Sequence, residues 1–94
     1  MKTLVLITAL SLGLLVSPAA FAAEKTITLT VDNMNCADCP YIVKKSLERV
    51  SGVASVTVSY RDKTVVVTYD DAQTDIPSLR AATTNAGYPS APKG

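Results

Sequence analysis

Cys36 and Cys39 are the only two cysteines of the chain and sit in the stretch "NMNCADCP", Asn33 to Pro40. Thiols at this spacing can converge on one point. Four chemistries use such a pair: a redox couple, a structural disulfide, half of a zinc site, or a complete two-coordinate site for a soft ion. The surrounding residues must choose among them. The chain has no histidine, which removes the commonest general base and the commonest metal ligand together. Over residues 23–94 the soft side-chain donors are Cys36, Cys39 and Met34.

A closed zinc site needs four ligands, and this chain offers two thiolates with Asp38 as a third donor at best. A purely structural disulfide fits poorly, because so short a loop constrains the unfolded chain little. A thiol–disulfide oxidoreductase is the sharper rival, since it too places Cys-x-x-Cys where a strand gives way to a helix. Here, however, Ala37-Asp38 puts an anion where an oxidant needs its thiolate stabilised. A soft ion that accepts two thiolates in nearly linear geometry needs only Cys36 and Cys39, with Cu(I) and Hg(II) the leading candidates. An open two-coordinate site also admits a third thiolate, so a partner's cysteine can attack before the first ligand leaves. That is the behaviour of a carrier, with no catalytic residue required.

The elements that must position the pair are readable. Residues 1–22 have the form of a secretory signal peptide: Lys2, the apolar run Leu4 to Val16, Ser17-Pro18, and Ala20-Phe21-Ala22 ahead of cleavage after Ala22. The run is shorter than the roughly 20 residues that span a bilayer, so no membrane insertion of the mature chain is expected. Residues 23–94 then form one small domain, exported to the periplasm and read as a monomer. Without Lys2 the acidic and basic residues balance, which leaves no electrostatic footprint for nucleic acid.

Within that domain Lys25 to Val31 alternates strictly, with Ile27, Leu29 and Val31 on one face, as a half-buried strand does. A helix is predicted from Asp38 to Val50, with Asp38 as its N-cap, Pro40 in its first turn and Val43, Leu47 and Val50 inward. Strands follow over Ala54 to Tyr60 and Thr64 to Tyr69, with Val56, Val58, Tyr60, Val65, Val67 and Tyr69 inward, joined through Arg61-Asp62-Lys63. A second helix over 76–86, capped by Asp75, turns Ile76, Leu79, Thr83 and Ala86 to the core, and Gly87 closes it ahead of a short strand over 88–91. The order β-α-β-β-α-β predicts an α+β, ferredoxin-like sandwich: a four-stranded antiparallel sheet with two helices on one face. It puts the cysteines on the loop leaving the first strand, open to a partner. Met34 reads as core beneath that loop, and Lys44-Lys45 as a solvated helix face or a docking patch.

"M-x-C-x-x-C" on the first loop of such a domain resembles the heavy-metal-associated domain shared by copper chaperones and the N-termini of metal-pumping ATPases. More narrowly, "CADCPYIVKKSLERVSGV" and "NAGYPS" behind a signal peptide resemble the periplasmic mercuric-ion-binding proteins. The resemblance implies a carrier of Hg(II), held as a bis-thiolate by Cys36 and Cys39 and passed to a cysteine pair on an inner-membrane mercuric transporter. It also implies that Tyr88 approaches the metal loop and shields or tunes it. A periplasmic Cu(I) chaperone with the same ligands is the alternative, and an oxidoreductase the second. Three positions depart from the family pattern. Asn33 replaces the usual Gly, and tolerates the left-handed backbone that the turn needs. Asn35 replaces Thr, and Asp38 replaces a small neutral residue, where an acid favours a more highly coordinated ion such as Zn(II) or Cd(II).

Overall fold

Strand β1 covers Glu24–Val31, helix α1 Cys39–Glu48, β2 Val53–Ser59, β3 Thr64–Asp70, α2 Ile76–Asn85 and β4 Ser90–Pro92 in a computed structural model that describes residues 23–94. The signal-peptide reading falls on residues 1–22 and lies outside the described residues. Among those described, no helix is long and apolar enough to cross a membrane. The four strands form one antiparallel sheet in the order β2-β3-β1-β4. The predicted β-α-β-β-α-β sandwich is the fold observed.

Alternation explains why the sheet has one wet and one dry face. The register aligns Val58, Val65 and Leu29 in one row across three strands, and Val56, Val67 and Ile27 in the next. Leu29, Val65 and Val67 are fully buried, and they share one core cluster with Val43 and Leu47 of α1 and Leu79 of α2. Burying such side chains contributes roughly 1.5–3 kcal/mol each before the entropy of ordering the chain is subtracted. On the opposite face Val66 is exposed, and Thr26 and Thr68 pair through their hydroxyls at 3.1 Å.

The turns are set by a few residues. Gly52 stands at φ +95°, and a Cβ there would lie 2.7 Å from the Gln73 Cβ, so both backbone angle and space demand glycine. Asp75 accepts from the Ser78 N–H at 2.9 Å and caps α2 as predicted.

Four local expectations need correction. Tyr60 is not inward: β2 ends at Ser59, the chain is already turning, and Tyr60 is exposed. Ala86 is exposed, because it stands past the last turn of α2 as its C-cap. Val50 lies beyond the end of α1, although it still packs on the core from the loop. The Asp38 side chain makes no capping hydrogen bond. Asp38 has helical angles (φ −90°, ψ −8°), whereas a side-chain cap needs the extended conformation that carries the oxygen back over the first N–H groups. The Cys36 carbonyl instead accepts from the Cys39 N–H at 3.2 Å, so the turn through the two cysteines starts the helix.

Candidate metal centre

The loop from β1 to α1 is held from both flanks. On one, the Asp32 N–H donates to the Pro89 carbonyl at 2.8 Å and Asn33 Nδ2 to the Gly87 carbonyl at 3.3 Å. On the other, Lys63 Nζ donates to the Met34 carbonyl at 2.9 Å. Asn33 has φ +67°, so the substitute for the family's glycine adopts the left-handed angle expected of it. Asn35 N–H then closes a tight turn onto the Asn33 carbonyl at 2.9 Å. Beneath the turn Met34 is 1% exposed and belongs to the core, as its size and polarisability suggest.

Two residues further on, the thiol pair is reached. Cys36 and Cys39 are joined by a disulfide with their Cα atoms 5.1 Å apart, so the structure is that of the oxidised protein. The bridge demonstrates that this backbone brings both sulfurs to one point. The two sulfurs are not equivalent. Cys36 is exposed, whereas Cys39 is 3% exposed and packs within the core cluster at the first turn of α1. Two donors point at Cys39 Sγ: the Cys36 N–H at 3.1 Å and the Tyr88 hydroxyl at 3.2 Å. Donors of this kind favour a thiolate at that position once the bridge is reduced.

Tyr88 is brought there by its neighbours. Gly87 and Pro89 offer the carbonyls that hold Asn33 and Asp32, which docks the α2–β4 connection on the cysteine loop with Tyr88 between them. The approach that the resemblance implied is thus a specific hydrogen bond. Asp38 is exposed, and none of its side-chain atoms bonds to either sulfur among the described residues. Among the same residues no three His, Cys, Asp or Glu side chains cluster as a metal cage. What the loop offers is two thiols and two hydrogen-bond donors. Lys63 was not anticipated from the sequence, since neither the angles of the turn before β3 nor its reach across to Met34 follows from local pattern.

Lys44 and Lys45 lie exposed on α1, with Lys45 3.7 Å from the Glu48 carboxylate and 5.6 Å from the centre of the Tyr41 ring. Contacts this exposed contribute little to stability, as expected of a solvated helix face.

A small one-sheet sandwich that presents a Cys-x-x-Cys pair at the start of its first helix defines a class. The chain belongs to that class, the heavy-metal-associated domain family, which matches residues 28–89. More particularly, it is 50% identical over 90 residues to the mercuric transport protein periplasmic component of Shewanella putrefaciens, covering 96% of each chain. It is also similar to the crystal structure of oxidized MerP from Ralstonia metallidurans CH34, at a TM-score of 0.75 and 46% identity over 77% of this chain and 100% of the other. The mercury-bound form of MerP, from a bacterial mercury detoxification system, gives a TM-score of 0.68 at 46% identity over the same shares.

Proposed function

We propose that this protein is a periplasmic carrier of Hg(II), exported by a cleaved signal peptide, in which Cys36 and Cys39 are the metal ligands. The observation that carries the reading is the convergence of both sulfurs at an exposed loop, one cysteine exposed and the other buried under two hydrogen-bond donors. Similarity to a mercuric transport component over nearly the whole chain, and to a mercury-bound structure, supports mercury as the cargo.

The chemistry follows from the pair. Reduction of the bridge by two equivalents of a thiol gives two cysteine thiols and one external disulfide. Hg(II) then replaces the two thiol protons and is held between the sulfurs as a neutral bis-thiolate, which suits a soft ion of linear preference. Handover begins when a thiolate of the recipient adds to the metal as a third ligand. Loss of Cys36 and Cys39 in turn, as a second recipient thiolate arrives, leaves the ion on the recipient without ever freeing it. A cysteine pair on an inner-membrane mercuric transporter is a recipient of the required chemistry. Nothing in the cycle turns a substrate over, so the protein acts as a carrier and not an enzyme, and one chain suffices for it.

A Cu(I) chaperone would use the same two ligands. A competition titration separates the readings: the reduced residue 23–94 domain is titrated with Hg(II), Cu(I) and Zn(II) against a thiol buffer, with Cys36→Ser/Cys39→Ser as the blank. One mercury retained per chain, and lost in the blank, is expected. Copper retained while mercury is surrendered would instead establish the copper reading. If no ion outcompetes the buffer, the carrier reading is wrong and turnover on a disulfide substrate becomes the next measurement.

A further inference from the structure

Lys63 is a residue for which the carrier chemistry has no role, yet its side chain is more constrained than a surface lysine's. Its φ of +56° places it in the left-handed region at the entry to β3. Its carbonyl accepts from the Val31 N–H at 2.9 Å, which pins the residue to the end of the strand that launches the cysteine loop. The ammonium donates to the Met34 carbonyl at 2.9 Å and lies 3.6 Å from the centre of the Tyr60 ring. A lysine head is strongly hydrated and ordinarily stays in water. Here a charge-assisted hydrogen bond and the negative face of an aromatic ring offset what it loses.

Placement gives this clamp its consequence. Cys39 is fixed by its own burial and by the Tyr88 hydroxyl. Cys36 is exposed, so its position depends on the backbone that delivers it. Only Asn35 separates Met34 from Cys36, and fixing the plane of the Met34–Asn35 peptide restricts the direction from which Cys36 enters the pair. Asn33 and Asp32 are already tied to the α2–β4 connection on the opposite flank. Lys63 therefore supplies the second of two attachments, the one nearer the exposed cysteine.

We propose that Lys63, braced by Tyr60, is a positioning residue for Cys36: it holds the Met34 carbonyl so that the pair is arranged for the ion before the ion arrives. The consequence for metal retention rests on the carrier reading; the clamp itself does not. Loss of the ammonium leaves Cys36 to be ordered at the moment of binding, which weakens capture. Arginine at this site keeps the charge, the donors and the attraction to the ring.

Two readouts test this on the residue 23–94 domain, which contains every described element. The first is the backbone amide spectrum of the oxidised protein, which needs no metal. Lys63→Leu should shift the Asn35 and Cys36 amides while leaving the amides around Asp75 in place, and Lys63→Arg should restore them. The second is retention of Hg(II) by the reduced protein against a thiol buffer, expected to fall about fivefold in Lys63→Leu and to recover in Lys63→Arg, the scale of one hydrogen bond. Wild-type amide positions and retention in Lys63→Leu would overturn the proposal, as would an arginine variant no better than leucine. If Lys63→Leu fails to fold, Tyr60→Leu carries the test, since it removes the brace and keeps the ammonium; smaller changes of the same kind are expected, and none at all would overturn the proposal. Should the wild-type protein itself not hold mercury, the carrier reading fails while the amide shifts still decide the clamp.

Discussion

The Tyr88 hydroxyl donates to the sulfur of Cys39 at 3.2 Å, linking the connection before the last strand to the first turn of α1 across 49 positions of sequence. This bond ties the state of the thiol pair to the packing of the whole sandwich. It is weak while the sulfur belongs to a disulfide. It strengthens when reduction leaves a thiolate, because a charged acceptor roughly doubles the strength of a hydrogen bond.

Tyr88→Phe is therefore expected to keep the ring's packing and lose the donor. In a thiol–disulfide buffer its equilibrium should move toward the Cys36–Cys39 disulfide by about tenfold, equivalent to roughly 30 mV for a two-electron couple. The unfolding midpoint of the oxidised form should change little. A redox equilibrium identical to wild type would show that the hydroxyl does not favour the thiolate.

Two of the glycines with left-handed angles, Gly52 and Gly87, separate backbone strain from steric conflict. Gly87 has φ +100° with nothing within 4 Å of a notional Cβ, whereas Gly52 has φ +95° and a Cβ would meet Gln73 at 2.7 Å. Gly87→Ala should cost about 1 kcal/mol, the ordinary penalty for an L-residue in that region. Gly52→Ala should cost about 2–3 kcal/mol, since the overlap adds to the same strain. Denaturant unfolding of both variants measures the difference, and equal costs would mean that the Gln73 side chain moves aside freely.

The residues that misled are as informative as those that did not. Ile27, Leu29 and Val31 betrayed β1 because one covered face imposes a period of two. Tyr60 continues the alternation of β2 by one more residue, and alternation carries no signal for where a chain turns; the left-handed Lys63 marks the turn, and its angle is invisible in its residue type. Asp38 has the composition of a cap, but the cysteine turn had already set its backbone angles to helical values. Cys36 and Cys39 could be singled out as a converging pair because the chain holds no other cysteine, and Met34 as core because a flexible apolar side chain suits the space beneath a loop. The Lys63 contact was not legible, and for Tyr88 only an approach to the loop was implied, by resemblance; its bond to Cys39, like that of Lys63 to Met34, joins segments that only the finished packing brings together.

Asp75 gives a pH dependence whose sign can be worked out. Hydrogen bonding to Ser78, through side chain and backbone, holds its carboxyl below the ordinary value, against a smaller opposing effect of desolvation. A carboxylate with a depressed folded-state value contributes stability above its unfolded value, and that contribution is lost as pH falls through the folded one. Asp75→Asn retains an oxygen to cap α2 but cannot titrate. The variant should be slightly less stable than wild type at neutral pH, and the gap should close as pH drops below about 4. Thermal midpoints of the two proteins at several pH values test this; a gap unchanged down to about pH 2 would remove Asp75 from the acid response.

The unequal burial of the two cysteines predicts that structure and function respond differently to the same chemical change. Cys39 is 3% exposed and lies in the core cluster, so Cys39→Ser replaces the large sulfur with a smaller oxygen, which keeps the Cys36 N–H and Tyr88 donors but loses packing, and should destabilise the reduced domain by about 1 kcal/mol. Cys36 is exposed, and Cys36→Ser should stay within about 0.5 kcal/mol of the reduced wild type. Mercury capture draws no such distinction. A bis-thiolate needs both sulfurs, and either variant must borrow its second ligand from solution, so both should surrender Hg(II) to a thiol buffer alike. Unfolding curves and a mercury competition run on the same samples make the comparison. If Cys36→Ser retained mercury while Cys39→Ser did not, the exposed thiol would not be a ligand, and the site would have to be rebuilt around Cys39 alone.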